Sequence, residues 1–182
     1  MRLISKIAST AALLAVSSMA FAKDGAYVSF NTGIADVKGP DSVNKGLRLG
    51  AAAGYNIGEQ FAVELNYQFQ KNTGLFTDGS GSARLNNHQV FVNGYAFIPH
   101  SIQGLEKLKP YVGVGVGMLR VNAKAEGETV KYNRFAVQGI VGAKYEICET
   151  FDAFADFTYS YSKIEGNSYK PYGLRVGAAY KF

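Results

Sequence analysis

Apolar and polar residues alternate along most of the chain, the period-2 pattern of β-strands whose successive side chains fall on opposite faces. Leu47, Leu49, Ala51, Ala53, Tyr55 and Ile57 share one face, against Arg48, Gly50, Ala52, Gly54 and Asn56 on the other. After Gly58-Glu59-Gln60, a tight turn, the pattern resumes with Phe61, Val63, Leu65, Tyr67 and Phe69 against Ala62, Glu64, Asn66, Gln68 and Gln70. Three more strands follow the same rule over about 135–145, 151–161 and 172–182, and two others are expected at about 26–35 and 111–121, the latter with Val112, Val114, Val116 and Met118 on one face. The strand at about 86–98 breaks the rule. Val90 and Val92 sit on one parity while Phe91, Tyr95 and Phe97 sit on the other, and a bulge near Asn93-Gly94 would reconcile them. The count is eight strands, and an even number returns both ends of the sheet to one side.

The connections fall into two alternating sets. One set runs through Gly58, 99–109 and 146–150. The other, about 36–45, 71–84, 122–133 and 162–170, is generally longer and richer in Gly, Ser, Asn and Lys. No domain boundary or solenoid repeat interrupts the series; the repetition is that of hairpins.

Alternation suits a soluble sandwich as well as a barrel, so the make-up of the two faces decides. The bulky side chains lie on the apolar face. The other face carries glycines and charges: Arg48, Glu64, Lys144, Asp152, Asp156 and Arg175. A small barrel has little interior room, so the small and polar face belongs inside and the apolar face outside. Aromatics gather towards strand ends, with Tyr55, Phe61, Tyr145, Phe151, Tyr180 and Phe182 near the short turns and Phe69, Phe135, Tyr159, Tyr161 and Tyr172 near the longer loops. Ala51, Val63, Val114, Val141, Ala155 and Val176 hold the strand centres. Two aromatic girdles around an aliphatic band are the pattern of a barrel crossing a bilayer, as are strands of about 10 residues. Closure follows, because lipid offers no hydrogen-bond partner to an open edge. The fold class read from the sequence is therefore all-β, a closed antiparallel eight-stranded transmembrane β-barrel.

The chain's beginning adds an export signal. Arg2 and Lys6 precede an apolar run from Ile7 to Val16, and Ala20-Phe21-Ala22 forms an A-x-A site. The expected division is a signal peptide over 1–22, cleaved after Ala22, and a barrel domain over 23–182. The apolar run is too short to span a bilayer as a helix. The residue after the site is Lys23 rather than Cys, which argues against a lipid anchor.

Composition agrees with a β-protein: 21 Gly, 12 Tyr and 12 Phe stand against 4 Pro and no Trp. The net charge of +5 includes Arg2 and Lys6, and without them it is +3, spread with no basic cluster, so a nucleic-acid partner is not supported. Cys148 is the single cysteine, which excludes an intramolecular disulfide and a cysteine metal site. No cofactor or metal is implied.

The run Pro110-Tyr111-Val112-Gly113-Val114-Gly115-Val116-Gly117 resembles the signature strand of the opacity-protein-like small outer-membrane β-barrels of Gram-negative bacteria, the Opa, OmpA and OmpX type. The ending Tyr180-Lys181-Phe182 resembles the signal by which the outer-membrane assembly machinery recognises its substrates, which makes Tyr180 and Phe182 its candidate carriers. The resemblance covers essentially the whole mature chain. It implies an outer-membrane location, with outer-membrane lipids, lipopolysaccharide and the assembly machinery as partners and a monomer as the working form. The loops are too short for the large variable receptor-binding regions of the adhesive opacity proteins, and a host or surface ligand stays unspecified.

Three function classes remain open. The first is a structural or surface-interaction, adhesin-like protein whose lumen is plugged by a network of Arg48, Glu64, Lys144, Asp152, Asp156 and Arg175, with Arg48 and Arg175 opposing the three carboxylates. The second is a narrow passive pore. The third is an outer-leaflet lipid-modifying enzyme, which would need a His beside Ser and an acid at the outer rim. His88 lies near that rim after Ser80 and Ser82, and His100 lies in a turn at the other end, but neither stands in a His-x-Ser arrangement, so no catalytic residue is assigned. The segment 72–82, with Leu75 and Phe76, reads as a surface loop or a binding tip.

Overall fold

The computed structural model describes residues 25–38, 43–75, 82–99, 104, 106–125, 128–164 and 167–182. The expected signal peptide, Phe76, Ser80 and His100 lie outside these residues. Eight antiparallel strands form: β1 Ala26–Lys38, β2 Val43–Ile57, β3 Phe61–Leu75, β4 Ser82–Phe97, β5 Leu108–Ala125, β6 Glu128–Cys148, β7 Phe151–Ile164 and β8 Asn167–Lys181. Each pairs with the next, and β1 pairs with β8 from Tyr27↔Lys181 to Lys38↔Lys170, which closes the barrel. Among the described residues there is no helix.

The facing is the one that the alternation predicts. Phe30, Leu47, Leu49, Val63, Leu65, Val112, Val114, Val116, Val141, Leu174 and Val176 are exposed on the outside, Val114 at 73%. Arg48, Asn66, Gln68, Gln70, Gln89, Asn93, Asp156 and Arg175 are buried inside. The turn-side girdle is a chain of ring contacts: Phe151 meets Tyr180 edge-on at 5.1 Å, and Tyr180 meets Phe182 likewise at 5.1 Å. Eight residues separate Phe61 from Phe69. At about 3.3 Å per residue and a tilt of about 40°, that is a height of about 20 Å, close to the roughly 25 Å apolar band of an outer-membrane barrel. Gly58 makes the β2–β3 turn with φ of +63°, a conformation open to glycine at little cost.

Two expectations are corrected. No bulge occurs in β4, whose register runs unbroken against β3 from Phe61↔Ala96 to Leu75↔Ser82 and against β5 from Phe97↔Tyr111 to Arg84↔Lys124. Val90 and Val92 face out, while Phe91 and Tyr95 face in and are buried. Register shifts lie instead between Ala35 and Val37 and between Glu146 and Cys148. The strands also run further than expected on the loop side. β5 and β6 stay paired out to Ala125↔Glu128, so most of 71–84 and 122–133 is ladder. Ladder hydrogen bonds belong to the backbone. A polar composition therefore marks where the chain leaves the apolar belt, not where it leaves the sheet.

Candidate functional site

The buried polar side chains converge on the lumen, and glycine makes the room for them. Asn87, Gln89, Phe91, Asn93 and Tyr95 of β4 point inward, and Phe91, Asn93 and Tyr95 lie opposite Gly117, Gly115 and Gly113 of β5. A Cβ on Gly113 would sit 2.7 Å from the Tyr95 ring and one on Gly117 2.7 Å from the Phe91 ring, while one on Gly115 would strike Asn93 Oδ1. Gly54 gives way to the Tyr27 ring and Gly142 to Asp156 in the same manner. The glycine run and the aromatic strand are thus two halves of one packing arrangement.

In the turn-side half, Arg175 grips Asp156 with two parallel bonds, Nε to Oδ1 and Nη2 to Oδ2, both 2.7 Å. Tyr111 donates to the same Oδ2 at 2.8 Å. Glu64 accepts from Tyr95 at 2.9 Å and from Tyr27, Asn66 and Asn93 at 3.2 Å each, and Gln138 donates to Asn93 at 2.6 Å. Towards the turns, Asp152 lies 3.0 Å from Lys181 and 3.7 Å from Lys144. The Lys144 ammonium also stands 4.8 Å from the centre of the Phe97 ring and 5.2 Å from that of Tyr27. The space left among these groups is a cavity of about 30 Å³, lined in part by Tyr27, Glu64, Tyr95, Asp156 and Arg175. That is room for about two water molecules.

In the loop-side half, Arg48 crosses the lumen from β2 to β7. It donates to Thr158 Oγ1 at 2.6 Å and to Gln70 Oε1 at 3.2 Å. Asn87 donates to the Tyr169 hydroxyl at 2.8 Å, and Tyr169 packs on Phe91, Leu119 and Ala136.

All six charged residues expected in the lumen are there, but two of the expected pairings are not. Arg48 meets no carboxylate among the described residues, and Glu64 meets hydroxyls and amides in place of a cation. Arg175–Asp156 and Lys144–Asp152 do form. Strand parity places a side chain inside but leaves open which one it reaches across the barrel. The groups missed from sequence are the lumenal tyrosines Tyr27, Tyr95 and Tyr111, and the β4 parity opposite three glycines was the available signal for Tyr95.

The outer surface holds less chemistry. His88 sits beside the Phe69 ring at the loop-side girdle, with its Nδ1 2.8 Å from the Tyr67 hydroxyl. Among the described residues no group of three His, Cys, Asp or Glu could hold a metal. Cys148 is exposed at the β6–β7 turn, 3.5 Å from Thr150 Oγ1.

Over residues 8–182 the chain matches the family described as outer membrane protein beta-barrel domain. Three solved structures share its fold. Neisserial surface protein A is 18% identical with a TM-score of 0.74, covering 87% of this chain and 98% of its own. Ail, the attachment invasion locus protein of Yersinia pestis, in complex with the heparin analogue sucrose octasulfate, is 13% identical with a TM-score of 0.57, covering 87% and 100%. The N-terminal β-barrel domain of Pseudomonas aeruginosa OprF is 16% identical with a TM-score of 0.55, covering 86% and 98%. No curated protein matches the chain in sequence.

Proposed function

Since this chain belongs to the outer-membrane β-barrel domain family, we propose that it serves as a plugged structural and surface-interaction barrel, one that presents its loop-side hairpins outside the cell and conducts little or nothing. The observation that carries this reading is the filled turn-side lumen, where side chains leave a cavity of about 30 Å³. In this reading Arg48, Glu64, Lys144, Asp152, Asp156 and Arg175 rigidify the barrel from within. Tyr180 and Phe182 guide its assembly, lipopolysaccharide surrounds it, and the monomer suffices. Residues 1–22 leave on export, and Lys23 becomes the first residue, which sequencing of membrane-extracted protein checks.

Current recordings in planar bilayers test the proposal. The pure protein is expected to give no stable, porin-sized conductance, and at most rare small openings. A steady ohmic current would put the narrow passive pore in first place. That second reading draws on the loop-side half, where Gln68 and Gln89 are buried with amide groups that have no protein partner.

A further inference from the structure

Arg48 is a lumenal cation that no carboxylate meets among the described residues. Arg175 occupies Asp156, Lys144 and Lys181 share Asp152, Lys181 also reaches Glu146, and Glu64 is taken up by two tyrosines and two asparagines on the turn side. Arg48 is 1% exposed. Its hydrogen bonds go to the neutral oxygens of Thr158 and Gln70, and its Nε has no partner. A guanidinium does not shed its proton to escape burial, and an isolated buried charge is strongly unfavourable.

The neighbourhood holds further buried polar groups without partners. Gln68 lies two positions from Gln70 on the inward face of β3 and pairs with Gln89 of β4. Ser160 lies two positions from Thr158 on β7. The side-chain amides of Gln68 and Gln89, nitrogen and oxygen alike, and the Ser160 hydroxyl are buried without a partner, and an amide with both ends free can turn its N–H side to an anion. We propose that this half of the lumen binds one small monovalent anion of the halide class, seated against Arg48 Nε and completed by N–H and O–H groups from Gln68, Gln89 and Ser160. One buried guanidinium without a carboxylate partner asks for one negative charge. Gln68, Gln70 and Gln89 are as deeply buried as Arg48, which favours a single-atom ion over a tetrahedral oxyanion.

The experiment is a crystal of the folded protein grown or soaked in sodium bromide, read by anomalous scattering, together with thermal unfolding in chloride, bromide and gluconate at equal ionic strength. The expected result is a bromide peak within hydrogen-bond reach of Arg48 Nε and a saturable rise in unfolding temperature with chloride or bromide but not gluconate. Arg48→Met should abolish the halide dependence. Should that variant fail to fold, the bromide peak in the wild-type protein still decides. No peak, and equal stability in all three salts, would mean that water alone solvates Arg48 and would overturn the proposal. Neither readout is a current, so this outcome and that of the bilayer recordings are independent.

Discussion

Asp156 receives three hydrogen bonds, two from Arg175 and one from Tyr111, and is buried together with both donors. An arrangement of this kind is more sensitive to losing one member than to losing both. Arg175→Met leaves a carboxylate uncompensated in the lumen and should destabilise the barrel by about 3–5 kcal/mol. The double variant Arg175→Met, Asp156→Leu should recover much of that loss, since an apolar pair of similar size can replace a buried ion pair. Urea titrations of refolded protein in lipid vesicles measure both. Equal losses in the single and double variants would show that the pair contributes net attraction instead.

At the scale of the strand, alternation decides which side chains meet lipid and which meet each other, and a single pair of neighbours tests it. Val114 is the most exposed of the outward valines, and Val114→Arg should lose about 2–4 kcal/mol if it lies near the bilayer midplane. Gly115→Ala one residue on should act by a different route, pressing its methyl group into Asn93 and Gln138 and losing about 1–3 kcal/mol through overpacking. A neutral Val114→Arg in vesicle refolding would invert the facing. Seven strands were legible in the sequence because the residues on their outward face form an apolar series, even where Tyr27, Tyr111 or Leu119 points inward. The faces of β4 were not legible. Phe91 and Tyr95 point inward, and their legality depends on Gly117 and Gly113 in the next strand, a fact that no single-strand pattern contains. The site was half legible for the same reason. Parity put Arg48 and Glu64 inside, but Arg48 reaches Thr158 across 110 residues and Tyr111 reaches Asp156 across 45, and such matches are set by closure and shear rather than by local sequence.

At the scale of the molecule, the two ends of the barrel wall meet on one rim. The Phe182 amide donates to the Ala26 carbonyl at 3.0 Å, and the Phe182 ring extends the Phe151–Tyr180 contact. Deleting Phe182 should slow insertion in cells and leave the protein open to added protease, whereas normal insertion of the shortened chain would show that this residue is not read by the assembly machinery. The β1–β8 seam carries a further consequence for how the barrel comes to exist. Every other ladder joins neighbours in sequence, so seven hairpin pairings form at short range. The eighth joins residues about as far apart as the chain allows, such as Tyr27 and Lys181, and its loop-closure entropy must be met all at once. The unclosed sheet has two free edges and a water-shunning exterior, the worst combination for an intermediate in water. Closure is then a kinetic bottleneck to be crossed at the bilayer, with an escort holding the chain apart until its last strand arrives.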